Sequence, residues 1–298
     1  MKIVSLLPSA TELVSELGME KMLCAISHEC DTPFTVNNLP IITGSNLPPN
    51  LSQNEINKYV AKVVQDGGSL YTVDSSLLNE IKPDLILTQG LCDVCAVTPN
   101  NIQANLRGTQ CILPKKTKIV SFNGQDFQGI RDDFVMLADA VGRAYQAQSI
   151  WNSYKDRWDG ISNEQPTKRI LLLEWIDPLY SPAHWVPEQI QAAGLISVYG
   201  KPKSHSKPLD FDTILNAETD AIGVICCGFG LEDNIQFARQ LAGKLSSGSG
   251  FKGEIAAFDA NRCFSRPTFS VVEGAEVLNA TFVHGKEIPN RSAFVQRI

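Results

Sequence analysis

Three cysteines fall where an α/β chain can gather ligands: Cys30 in Ser27-His28-Glu29-Cys30-Asp31, and Cys92 and Cys95 in Leu91-Cys92-Asp93-Val94-Cys95. A C-x-x-C pair can chelate a metal, carry a cluster, cycle as a dithiol or stay idle, and its spacing does not choose among these. Three converging thiolates can hold Zn²⁺ with a fourth ligand, or three irons of a 4Fe–4S cluster with one iron left open. Cys227, ahead of Gly228-Phe229-Gly230, and His184 are candidates for the fourth ligand. His28, two residues before Cys30, could ligate or donate a supporting hydrogen bond. A second set of residues suits an organic ligand. Trp175, Tyr180, His184 and Trp185 lie close together, with Phe229 further on, and such flat apolar rings with polar tips fit a macrocycle or aromatic group. Arg266 could pair bidentately with a carboxylate or phosphate.

The elements that would position these residues alternate. The short run 3–7 reads as a strand, and Ser9-Ala10-Thr11-Glu12 reads as a capping box opening a helix from Ala10 to Leu17, stopped by Gly18. That strand–turn–helix junction leaves amide donors near Ser9 for an anionic ligand group. Strands are expected at 23–27, 84–88, 118–122, 169–175, in the last part of 214–224 after a helix end and an aspartate, and at 254–258; helices at 52–65, 75–82, 99–106 and 271–282. The pattern is βα alternation, hence a mostly parallel sheet in each half, whose ligands bind at the carboxyl edge of the strands. Cys30, Cys92, Cys95 and Cys227 all follow strands at that edge. Helical spacing at 127–140 and again from 144 to 161 carries Trp151, Tyr154 and Trp158 on an apolar face, read as packing. Cys24, Cys111, Cys226 and Cys263 read as core, while His205 in Lys201-Pro202-Lys203-Ser204-His205-Ser206-Lys207-Pro208 reads as exposed and His284 lies in the tail.

Composition narrows the classes. At 298 residues, 43% hydrophobic and 19% charged, the chain is long enough for two globular lobes. Asp plus Glu outnumber Lys plus Arg by 32 to 26, for a net charge of -6, which argues against a nucleic-acid partner. The basic run Lys115-Lys116-Thr117-Lys118 reads as a solvated turn. No run approaches the roughly 18 apolar residues of a membrane helix. The chain opens directly on its first strand, so a cytoplasmic location is expected, or a periplasmic one if a leader was removed. G-x-S-x-G, P-loop, G-x-G-x-x-G and H-E-x-x-H motifs are all absent, so binding is expected rather than a common enzyme chemistry.

"IVSLLPSATELVSELG" followed by "SHECD", the "KPDLILTQ" strand, the connecting helix and a second α/β lobe ending near "CFSRPTFSVVEGAEVL" resemble the class III substrate-binding proteins. The similarity is to the branch called cobalamin-binding, or vitamin B12 ABC-transporter binding-protein-like. It implies two Rossmann-like lobes joined by a long helix, with boundaries at 1–125, 126–165 and 166–298. It also implies a corrinoid-like or metal-containing small molecule held between the lobes, and an ABC permease as partner in an exported member. The cysteines in "HEC", "CDVC" and "CCGFG" depart from a simple corrinoid binder. They keep open an alternative: a cytosolic iron–sulfur or zinc protein, with or without an enzymatic reaction, that reuses the fold.

Overall fold

The computed structural model describes residues 1–90, 113–114, 116–162, 165–248 and 251–297. The chain divides into two compact units, Met1–Gly124 with Gln128–Ile150, and Gln125–Phe127 with Trp151–Ile298.

The first unit contains β1 (Ile3–Ser5), β2 (Leu23–Ala25), β3 (Thr43–Ser45), β4 (Tyr71–Val73), β5 (Leu85–Gln89) and β6 (Lys118–Phe122). Four of them form a parallel sheet in the order β2-β1-β5-β6, while β3 and β4 pair antiparallel beside it. Ile3, Val4, Ile86 and Leu87 are fully buried, as expected of a parallel sheet covered on both faces. The helices are α1 (Pro8–Glu16), α2 (Gln53–Gln65), α3 (Ser75–Ile81), α4 (Phe127–Ala140) and α5 (Ala144–Asp159). The helix expected at 99–106 lies outside the described residues.

The capping box expected at Ser9 and Glu12 does not form. Helix α1 starts earlier, on Pro8, and its N-cap is Leu7 in an extended conformation without a side-chain cap. Proline suits the first helical position because it has no N–H to satisfy and its φ is already helical. The box forms at α2 instead, where Ser52 Oγ accepts from the Glu55 N–H at 3.4 Å and the Ser52 N–H donates to Glu55 Oε2 at 2.8 Å. Helix α5 passes from the first unit to the second at Ile150 and Trp151. Its aromatics pack as the sequence implies: Trp158 stacks on Phe127 at 4.3 Å and Tyr154 on Phe269 at 4.4 Å.

In the second unit β7 (Arg169–Leu173), β10 (Ile196–Ser197), β12 (Ala221–Val224), β13 (Glu254–Phe258) and β14 (Ser292–Gln296) form one sheet in the order β10-β7-β12-β13-β14. All neighbours are parallel except β14, which returns antiparallel along β13. A small antiparallel sheet joins β8 (Trp175–Ile176), β9 (Leu179–Tyr180) and β11 (Pro208–Leu209). Around them lie α6 (Val186–Ala192), α7 (Phe211–Leu215), α8 (Leu231–Gly248), α9 (Ala260–Cys263) and α10 (Ser270–Leu278). Helices α6 and α8, and the strand β14, extend the elements read from the sequence. Every residue from Ile170 to Leu173 is completely buried, and Leu241 and Leu245 of α8 pack into the same core as Leu171, Ile222 and Ile255. Among the described residues no helix is long and apolar enough to cross a membrane.

Candidate functional site

In the first unit the carboxyl ends of β1 and β2 bring hydroxyls and a thiol together. Thr11 Oγ1 donates to Ser5 Oγ at 2.8 Å, and Ser5 Oγ donates in turn to the Leu7 carbonyl at 3.0 Å. Cys30 Sγ sits 3.1 Å from Thr11 Oγ1, placed there by a turn in which its N–H donates to the Ser27 carbonyl. Cys30 thus stands at the strand edge where its position after β2 puts it, beside the first turns of α1. Ser9, on the same helix, is buried.

His28 faces a different group. Its backbone N–H donates to Thr43 Oγ1 at 3.0 Å, its Nδ1 lies 2.7 Å from the same oxygen, and Thr43 Oγ1 donates to Ser27 Oγ at 3.0 Å. On the other side of the ring, Nε2 lies 3.9 Å from Glu29 Oε1. Cys92 and Cys95 lie outside the described residues. Among the described residues, no three His, Cys, Asp or Glu side chains converge as a metal-binding group.

In the second unit β7 ends at Leu173, and the next residue, Glu174, is where the sheet opens into loops. Its Oε1 accepts the Ala183 N–H at 2.8 Å. Burial raises its carboxyl to a pKa of about 7, against the pull of the Ala183 N–H and the Ser206 hydroxyl, which favour the charged form. An acid with a raised pKa at a strand's carboxyl edge is a candidate functional group that the sequence reading passed over. Its only signal was its place as the first polar residue after Ile170-Leu171-Leu172-Leu173.

The ring-bearing candidates lie around that acid. Trp175 is the cross-strand partner of Tyr180, and its ring meets Phe229 edge-on at 6.2 Å. Trp175, Tyr180, His184 and Phe229 are all half-buried. Trp185 is buried, with its indole N–H donating to the Phe264 carbonyl at 2.8 Å, so it serves the packing of this unit. Arg266 is likewise buried, with Nη2 donating to Asn261 Oδ1 at 2.9 Å.

The turn after β12 is tightly held. Asn234, fully buried on α8, accepts the Cys226 N–H at 2.8 Å through Oδ1 and donates to the Phe229 and Gly230 carbonyls at 3.1 Å. Gly228 adopts φ +81, a left-handed conformation that favours glycine. This turn buries Cys226 and exposes Cys227, as alternation along a strand implies.

The segment 201–207, read from sequence as an exposed polar loop, is a strap fastened by its main chain. His184 N–H donates to the Ser204 carbonyl at 2.9 Å, Lys203 N–H to the His184 carbonyl at 3.1 Å, and Ser181 N–H to the Lys207 carbonyl at 2.9 Å. Lys203 Nζ pairs with Asp126 at 2.7 Å. His205, which the sequence reading set aside, thereby comes to lie against His184.

No family model matches the chain, and no curated protein matches it significantly. Solved structures do. The periplasmic heme binding protein HutB of Vibrio cholerae aligns at TM-score 0.68 and 16% identity, covering 94% of this chain and 98% of that one. The periplasmic vitamin B12 binding protein BtuF of Vibrio cholerae aligns at 0.62 and 16%, covering 94% and 95%. A periplasmic heme binding protein from Pseudomonas aeruginosa aligns at 0.69 and 14%, covering 100% and 99%. Along nearly its whole length, with two parallel-sheet units and a helix passing from one to the other, the chain has the class III periplasmic-binding-protein fold.

Proposed function

We propose that this is a small-molecule binding protein whose ligand is a corrinoid-like or other metal-centred macrocycle, taken at the carboxyl edges of its sheets. The observation that carries the reading is the half-buried aromatic group Trp175, Tyr180 and Phe229 at the end of β7 and β12. Flat rings gathered at a sheet's carboxyl edge suit a flat ligand face. The neighbouring structures support the same class, being named for the binding of heme and vitamin B12. An exported form would pass its ligand to an ABC permease.

The test is titration of the purified chain with cyanocobalamin and, separately, hemin, followed by absorbance and tryptophan fluorescence. One of them should saturate at one equivalent, and Trp175→Ala should weaken binding about tenfold, a loss of about 1.4 kcal/mol. Absence of saturation by either, at ligand concentrations up to about 100 µM, would sink the proposal.

A further inference from the structure

His184 and His205 come from different loops of the second unit, yet their rings lie 5.4 Å apart between centres and at 88° to one another. The juxtaposition is built by the backbone. The His184 N–H binds the Ser204 carbonyl, the residue just before His205, and the His184 carbonyl receives the Lys203 N–H, so the two segments are bonded on both sides of His184. His184 itself holds φ +52, a left-handed conformation uncommon for a residue with a Cβ and found disproportionately at ligand clamps. Trp185 stacks against its ring at 5.6 Å.

One atom in this arrangement is unexplained. His184 Nδ1 is buried and has no hydrogen-bond partner. A buried polar atom without a partner is costly, and native structures seldom carry one without a reason. We propose that His184 and His205 form a two-imidazole site for a divalent late transition ion of the Zn²⁺, Ni²⁺ and Cu²⁺ group.

The geometry meets the demands of such an ion. Bonds of about 2.0–2.1 Å to two imidazoles on a tetrahedral centre put the ring centres about 5.2 Å apart, close to the spacing found here. Imidazole nitrogen is a preferred donor for these ions. The ammonium of Lys203, two residues before His205, pairs with Asp126 at 2.7 Å. His205 is exposed, so solvent or an anionic co-ligand can fill the remaining positions on the metal.

The site shares His184 with the cysteine set considered above but uses no thiol, and it does not rest on the macrocycle reading, since the probe is the bare aquo ion. The full chain, stripped with EDTA and with its thiols blocked by N-ethylmaleimide, is titrated with Ni²⁺ while the fluorescence of Trp185 and the other tryptophans is followed. Quenching should saturate at one equivalent. His205→Gln should weaken binding at least tenfold while leaving the metal-free melting temperature unchanged, because that side chain is at the surface. With Cu²⁺, the electron paramagnetic resonance spectrum should show superhyperfine coupling to two imidazole nitrogens in the parent chain and to one in His205→Gln. Equal Ni²⁺ affinity in the parent chain and His205→Gln would overturn the proposal, as would a Cu²⁺ spectrum that the substitution leaves unchanged.

Discussion

The Cys227 N–H donates to the Glu174 carbonyl at 3.1 Å, so the exposed thiol at the end of β12 is fastened to the acid at the end of β7. A carboxyl with a raised pKa and an exposed thiol thus share the same sheet edge. The parallel register of β7 and β12 brings the two strand ends side by side.

The Glu174 carboxyl makes stability depend on pH. Its pKa rises from 4.5 to about 7 on folding, so the native state binds the proton more tightly than the unfolded chain. The sign follows: this contribution is fully present below pH 4.5 and is lost as pH rises through about 7. The span corresponds to at most about 3 kcal/mol. Urea unfolding at pH 5, 6, 7 and 8 should show Glu174→Gln gaining on the parent chain as pH increases. A constant difference between the two would show that Glu174 ionises normally in the folded protein.

Asp133 fastens the chain just before it crosses to the second unit. Its carboxylate accepts the Gly124 N–H at 2.6 Å and the Asn123 N–H at 2.9 Å, while burial raises its pKa to about 6. Asp133→Ala leaves two amides without their acceptor and should cost about 2–4 kcal/mol in denaturant unfolding. Asp133→Asn, which keeps one acceptor oxygen, should cost clearly less.

Thiol labelling should sort the cysteines by depth. Cys227 is exposed, whereas Cys226 and Cys263 are fully buried and the Cys263 thiol is pushed up by burial and by Glu273 and Asp259. Brief treatment with maleimide followed by peptide mass spectrometry should modify Cys227 well before Cys226 and Cys263, which should react only in denaturant. Early labelling of Cys226 would contradict the turn held by Asn234.

Gly223 lies under the second unit's core, where an added Cβ would meet Leu172 Cδ2 at 2.3 Å and Phe258 Cε2 at 3.0 Å. Gly223→Ala should lower stability by about 1–3 kcal/mol through overpacking, read as a shift in the urea midpoint with unchanged slope.

The sequence made the sheets legible where apolar runs follow a proline or a charge. The strands read at 118–122 and 254–258 form with those bounds, and 84–88 is displaced by one residue. Local rules failed where two signals competed. At Pro8 the proline preset the helix start and displaced the capping box expected at Ser9. His205 was set aside because its neighbours are lysine, serine and proline; the bonds that fix it run from backbone atoms of residues far earlier in the chain, which no spacing encodes. Glu174 was hidden in the same way, since its hydrogen-bond partners, the Ala183 N–H and the Ser206 hydroxyl, come from later loops. For Cys30 the strand-edge placement was readable, but its partner Thr11 was not, because α1 starts on Pro8.

The strap also carries a consequence for proteolysis. Lys201 and Lys207 each precede a proline, Pro202 and Pro208, and trypsin leaves such bonds uncut. Only Lys203–Ser204 remains as a tryptic bond within it. That lysine is engaged by Asp126, and its N–H is on the His184 carbonyl. A single scission site, shielded while the strap is fastened and opened when it lifts, makes this segment its own reporter: the rate of one cut measures how often the strap comes off Glu174 and His184.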